Sequence, residues 1–191
     1  MINLAELIAT KQPKVGNTIF IAIDGHGGSG KSTFSDWLSK RLDAELVHTD
    51  DFASWDNPLN WWPIVIDSVF KQVSNGAKEL NYPRSQWWEG HSREPISQTV
   101  TEIMILEGVS SLRMEFRDYI SLGIFVDTPK EVCLQRGVKR DLQFGKSREE
   151  VVQMWESFYT EEDNYINRDL PKEYADLILD GTKPFEIQVE L

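Results

Sequence analysis

Apolar positions along the chain switch between two periods. Leu4, Leu7 and Ile8 are spaced to line one face of a short helix packed beside the core. Residues 18–24 (Thr-Ile-Phe-Ile-Ala-Ile-Asp) are apolar almost throughout and rich in β-branched side chains, which predicts a central parallel strand covered on both faces. A glycine-rich turn follows. Phe34, Trp37, Leu38 and Leu42 then return to helical spacing over 32–42, and Glu45–His48 reads as a second short strand ending at Asp50. A helix is predicted over 63–73, stopping near Asn75-Gly76. Residues 101–106 and 122–126 read as two more buried strands, closed by the acids Glu107 and Asp127, and 175–180 as a last strand.

Two helix starts carry their own signals. Thr128-Pro129-Lys130-Glu131 and Ser147-Arg148-Glu149-Glu150 each offer a hydroxyl N-cap with a glutamate three residues on, and Pro129 suits a first helical position. Gly145-Lys146 breaks the helices between them, so residues 136–150 form either a movable lid or a plain interhelical turn. Strands alternating with helices predict an α/β fold with a right-handed parallel sheet and ligand sites at the carboxyl ends of its strands. The strand Glu45–His48 is expected beside the strand at 18–24.

Composition narrows the class. A chain of 191 residues is enough for one compact domain. With 20 basic against 31 acidic residues, a net charge of −11, it would repel a polyanionic backbone, so nucleic acid is set aside as a partner. The single cysteine, Cys133, has no internal disulfide partner and sits between Val132 and Leu134, as in a buried helix. Residues 1–11 lack the features of a signal peptide and no stretch approaches 18 apolar residues. A cytoplasmic, non-membrane protein is the expectation.

Chemistry enters with Gly25-His26-Gly27-Gly28-Ser29-Gly30-Lys31-Ser32, which satisfies G-x-x-x-x-G-K-[ST] between a predicted strand and a predicted helix. Glycines let successive amides turn inward, and the helix that follows adds its N-terminal partial charge, so the segment predicts an ATP phosphate cradle. Lys31 would bridge the β- and γ-phosphates and Ser32 would ligate Mg²⁺. Asp50 and Asp51 follow a strand end within reach of such a phosphate. Asp50 is preferred as the base that takes a proton from an acceptor hydroxyl and Asp51 as an aid to the metal shell, against an Asx turn or helix cap. Glu107 stands where a second acid would hold Mg²⁺ through water, with capping as the competing role. Arg136 and Arg140 lie one helical turn apart, a spacing suited to a phosphoryl group in transit, although a solvated face paired with Glu149 and Glu150 would look the same.

Five of seven tryptophans fall between residues 55 and 88. Trp55, Arg84 and Trp87 are the candidates for acceptor contact from this region, in competition with core packing or a homodimer face. Glu161-Glu162-Asp163 either approaches the acceptor, pairs with the basic segment, or forms a solvated helix face.

Together these motifs resemble the uridine kinase and phosphoribulokinase branch of the P-loop kinases, especially its short bacterial members. The resemblance covers most of the chain. It rests on Asp24 to Thr33 as the phosphate loop, Thr49-Asp50-Asp51-Phe52 as the catalytic aspartate segment and Leu106-Glu107-Gly108-Val109 as the second acidic motif. Phe125 to Pro129 with Arg136 and Lys139-Arg140-Asp141 resembles the strand and arginine-bearing lid, and Tyr174 to Leu179 the closing strand. The resemblance implies a three-layer P-loop NTPase fold with about five parallel strands and helices on both faces. It also implies ATP- and Mg²⁺-dependent phosphoryl transfer to a hydroxyl of a small molecule, and adds Thr33 to the nucleotide contacts. Nucleoside members carry a Tyr-Asp pair in a hairpin after the second helix, where this chain has Ser85-Gln86, while His91-Ser92-Arg93 is similar to the nucleoside enzymes. His91 and Arg93 therefore join the acceptor candidates. A nucleoside is the leading acceptor, with a sugar or vitamin precursor as the alternative, or a regulatory NTP-binding role with no acceptor.

Overall fold

The computed structural model describes residues 1–85 and 94–191. In chain order, β1 (Ile2–Asn3) leads into α1 (Leu4–Ala9), β2 (Ile19–Asp24), α2 (Lys31–Leu42) and β3 (Glu45–His48). A helical run follows, α3 (Trp62–Val65) and α4 (Lys71–Ser74) joined by a π-helical turn at Ile66–Phe70, and then β4 (Glu79–Tyr82), β5 (Ile96–Thr99) and β6 (Ile103–Glu107). The chain continues through β7 (Leu122–Asp127), α5 (Lys130–Asp141), α6 (Arg148–Asp169), α7 (Pro171–Tyr174), β8 (Leu177–Asp180) and β9 (Val189–Glu190).

Side-chain alternation along the strands builds three layers. The five parallel strands lie in the order β3-β6-β2-β7-β8. Phe20 and Ala22 of β2 join Met104, Leu106 and Phe125 on one face, packed against Val65, Val69 and Phe70 of the α3–α4 run. Ile21 and Ile23 join Ile105, Ile124 and Val126 on the other, packed against Phe34 and Leu38 of α2 and Leu4 and Ile8 of α1. With both faces covered, β2 carries no acid until Asp24, at its carboxyl end. A third cluster, of Cys133, Val138, Val151, Trp155 and Tyr159, joins α5 to α6. Burial pushes the Cys133 thiol up to about 11, in keeping with an inert helix position. Among the described residues no helix is long and apolar enough to cross a membrane.

Two expectations are corrected. β3 does not lie beside β2: β6 fills the slot between them, pairing Glu107 with Ile23 on one side and His48 on the other. The turn after β3 is therefore one strand farther from the glycine-rich loop, and Glu107 ends the neighbouring strand. Nor does Thr128 cap α5. The helix starts at Lys130 with Pro129 as its flanking residue, and the Thr128 hydroxyl donates instead to the carbonyl of Ser29 at 2.8 Å, a buried long-range bond. The capping box at Ser147 is formed as expected, after a left-handed turn at Gly145. The β4–β5 hairpin and the β1–β9 pair had no signal in the periodicity.

Asp24 ties these layers together. It is 1% exposed and accepts four hydrogen bonds: from the amides of Gly25 (2.6 Å) and Ser110 (3.1 Å) on Oδ1, and from the amide of Leu112 (2.8 Å) and the Tyr165 hydroxyl (2.5 Å) on Oδ2. Burial nonetheless dominates its acidity and raises the carboxyl from 3.8 to about 6, against the opposing pull of Tyr165, Leu112, Gly25 and Lys31. A raised carboxyl favours the protonated folded state, so its contribution is complete below the unfolded value and is lost as pH rises through about 6. Relative to Asp24→Asn, the native chain should be more stable by about 0.8 kcal/mol at about pH 5.5 than at about pH 8, the linkage integral for this shift. Both conditions lie above the sequence pI of about 4.7. Urea unfolding of both proteins at the two pH values measures this, and a pH-independent difference would refute burial as the dominant influence.

Candidate functional site

The glycine-rich loop connects the end of β2 to the start of α2. Its tightest point is Gly28, at φ +82°, where an added Cβ would lie 2.4 Å from the carbonyl oxygen of Cys133. At Gly27 a Cβ would lie 2.6 Å from the Trp155 ring, so α5 and α6 press directly on the loop. The Ser29 amide donates to the His26 carbonyl (3.0 Å), which closes the turn, and the Ser29 carbonyl accepts from Thr128 and from Arg136 Nη1 (3.3 Å). Lys31 is buried and folds back to donate to the His26 carbonyl at 3.4 Å. The 12-residue α2 starts directly after Gly30, so its first amides and the positive end of its dipole stand at the end of the loop. A loop of glycines running into a helix N-terminus suits an anion.

Acids gather at the ends of the next two strands. Glu107 is buried, accepts from Ser32 Oγ at 2.9 Å on Oε1, and holds His48 Nδ1 at 2.8 Å on Oε2. Burial alone would raise Glu107, but the His48 hydrogen bond and the charge of Lys31 outweigh it and hold the carboxyl below its usual value. The same hydrogen bond raises His48. Asp50 lies in the 3₁₀ turn Thr49–Asp51 after β3. The residue as a whole is exposed. Desolvation is the main cause of its raised pKa, with the Glu107 charge adding and Lys31, His48 and Arg140 opposing. Asp50, Lys31, Glu107 and Arg140 thus share one electrostatic field. Ser32 and Glu107 offer hard oxygen donors, as Mg²⁺ requires. Among the described residues no group of three acid, histidine or cysteine side chains converges on an ion site, and Mg²⁺ ordinarily takes its remaining ligands from water and phosphate.

The two arginines of α5 have different partners. Arg136 Nη1 donates to the carbonyls of Ser29 and Gly181 (3.0 Å), spanning the loop and the end of β8. Arg140 is held by Asp141 through Nε (2.6 Å) and Nη2 (3.1 Å), and that carboxylate also accepts from Trp155 Nε1 at 3.0 Å. Among the described residues neither arginine pairs with Glu149 or Glu150 at the start of α6, and Glu150 closes the capping box with Ser147.

Residues 65–187, well over half of the chain, match the Phosphoribulokinase / Uridine kinase family. The chain belongs to this family. Uridine-cytidine kinase A of Dictyostelium discoideum is 31% identical over 183 residues, which cover 85% of this chain but only 36% of that longer protein. The uridine kinase of Tolumonas auensis is 28% identical over 199 residues, 91% of each chain. A solved structure described as a "Possible Uridine Kinase from Bacillus stearothermophilus" superposes with a TM-score of 0.62 over 93% of this chain and 95% of that one, at 20% identity, and shows the shared fold.

Within this family member, the residues singled out for an acceptor divide. Arg84 Nε forms an ion pair with Asp51 Oδ1 at 2.9 Å, so Asp51 is engaged toward β4, whereas the Ser32–Glu107 contact is made without it. Ser85 follows, its amide donating to the Asp51 carbonyl (2.6 Å) and its hydroxyl to that of Phe52 (3.1 Å). Trp55 stacks on Phe158 of α6 at 5.3 Å with Lys146 over its ring at 5.4 Å, which brings the loop after Asp50 against the 136–150 segment. Trp61 is buried beside Arg113, so part of the tryptophan cluster is core. Trp87, His91 and Arg93 lie outside the described residues.

Two contributors escaped the sequence reading. His48 ends β3 directly opposite Glu107, a pairing visible only once β6 is known to be its neighbour. Glu162, whose motif suggested a solvated face among other roles, is buried against the glycine-rich loop, while Asp163 pairs with Lys130.

Gly28 and Gly76 have nearly the same φ, +82° and +83°, but a Cβ at Gly76 meets nothing within 4 Å. Gly76→Ala should therefore cost only the left-handed backbone penalty, about 1–2 kcal/mol. Gly28→Ala should cost more and abolish binding of a fluorescent ATP analogue. Thermal unfolding and nucleotide titration of the two variants separate backbone strain from the contact with Cys133; equal behaviour would contradict the close approach.

Proposed function

We propose that this protein transfers the γ-phosphate of ATP to a hydroxyl of a small molecule, with a nucleoside as the leading acceptor. The observation that carries the reading is the convergence of Lys31, the Ser32–Glu107 pair and Asp50 at the carboxyl ends of three adjacent strands, β2, β6 and β3. Lys31 and the loop amides would hold the phosphates, and Ser32 and Glu107 would hold Mg²⁺. The bound metal would neutralise charge on the β- and γ-phosphate oxygens. Asp50 would accept the proton of the acceptor hydroxyl, a task that its raised pKa favours, since a stronger base takes a proton more readily. Arg136 stands against the loop and Arg140 in the field of Asp50, where both can compensate charge on the phosphoryl group in transit.

The nucleoside assignment draws on relatives named as uridine and uridine-cytidine kinases. A second reading, another small alcohol such as a sugar or vitamin precursor, is favoured by Ser85. Both its amide and its hydroxyl are committed to the Asp51–Phe52 backbone, which leaves this position little to offer a nucleoside.

An ADP-release screen across nucleosides, sugars and cofactor precursors is expected to give acceptor-dependent turnover with one class. Asp50→Asn should lower that turnover by about 10²–10⁴-fold while nucleotide still binds, and Lys31→Ala should abolish nucleotide binding or turnover. Full kinase activity in Asp50→Asn would overturn the assigned base. No acceptor-dependent release with any class would favour a regulatory NTP-binding protein.

A further inference from the structure

The inner face of α6 is built from Trp155, Tyr159, Glu162, Tyr165 and Asp169, all buried and spaced by three or four residues. Glu162 is the acid at the middle of that face, 6% exposed, and its carboxylate is directed at the glycine-rich loop. Oε2 lies 2.8 Å from His26 Nδ1, and the Gly27 amide donates to both oxygens, at 3.3 and 3.2 Å. One turn away, the Tyr159 hydroxyl donates to the Gly27 carbonyl at 3.2 Å, and its ring meets that of His26 edge-on at 5.7 Å. Gly27 is thus held at both its N–H and its C=O by one helix, at the position where a Cβ would strike Trp155.

Stability alone does not account for this arrangement. A buried acid and its partner are often replaceable by apolar groups without loss, because desolvation offsets their attraction. A carboxylate behind an anion-binding loop is also the wrong sign for the loop's ligand unless it acts on the loop itself. We propose that Glu162 is a positioning residue for nucleotide binding, an inference that rests on the phosphate-cradle reading above. It fixes the Gly27 peptide and His26 from behind, so the loop holds its anion-receiving shape before phosphate arrives, while His26 keeps the carboxylate from facing the phosphates bare. The same helix carries Trp155, whose indole donates to the carboxylate that holds Arg140, and Phe158, which stacks on Trp55. Through Glu162, nucleotide affinity becomes dependent on α6.

Equilibrium titration with a fluorescent ATP analogue, without acceptor, tests this alongside thermal unfolding of each variant. Glu162→Ala should weaken binding about tenfold or more, the loss expected for hydrogen bonds to a charged group. Glu162→Gln, whose amide oxygen can still accept from Gly27, should stay within about threefold of the native protein. Tyr159→Phe should weaken binding by a smaller factor and decides the matter if Glu162→Ala does not fold. Native affinity in the folded Glu162→Ala or Tyr159→Phe protein, with only the melting temperature lowered, would reduce the contact to a structural one and overturn the proposal. Tighter binding in Glu162→Ala would overturn it too, because the carboxylate would then be competing with phosphate. A native protein that fails to bind the analogue would overturn the nucleotide reading itself, a result distinct from either.

Discussion

The carboxylate of Asp24 is the constraint on which the site depends. It closes the central strand, and its four donors come from the start of the glycine-rich loop, the turn after β6 and the last turns of α6. A buried acid must be surrounded by donors or remain protonated, so the three segments have to converge there for the fold to hold together. That convergence holds Gly25 at the start of the loop and ties α6 to the end of β2. The stability of the sheet and the geometry of the site are coupled through one side chain.

Around this anchor the charges are arranged against the protein's overall sign. The chain carries −11, yet Lys31 and Arg136 stand at the loop. Both direct their hydrogen bonds at neutral carbonyls, which leaves their charge available to an incoming polyanion. The acids are treated differently. Glu107 is held ionised by His48 and Lys31, whereas desolvation makes Asp50 more basic, so neighbouring carboxyls differ in proton affinity because their surroundings differ.

Much of this was legible in one dimension because it is local. The unbroken apolar run before Asp24, the strand Glu45–His48 and the capping box at Ser147 depend on residues within a few positions of one another, and each was formed as read. What escaped was set by pairing across the chain. Periodicity shows that β3 is a strand but not that β6 separates it from β2, so the His48–Glu107 contact had no local signature. Thr128 had the pattern of a cap and was drawn instead to Ser29, 99 residues away. Glu162 falls on the same helical stripe as Trp155, Tyr159 and Tyr165, a spacing that could have separated it from Glu161 and Asp163. Its partner could not be read that way.

Arg140 is held by a local pair that is itself tied across to the next helix. Its guanidinium is neutralised by Asp141 in the present arrangement, which by itself would oppose any shift toward a phosphoryl group. That carboxylate, however, is also bound by Trp155 Nε1, so it keeps a hydrogen-bond partner if Arg140 leaves. The cost of release is then the ion pair and the contact of the guanidinium with the Trp155 ring at 5.5 Å, and Arg140 is 62% exposed, where solvent screens the ionic attraction. An arginine held this way is inexpensive to redeploy, whereas Arg136, tied to the loop and to Gly181, keeps its place. The two residues that looked equivalent by helical spacing are therefore held differently: Arg136 by backbone carbonyls of the loop and of the end of β8, Arg140 by a neighbouring carboxylate.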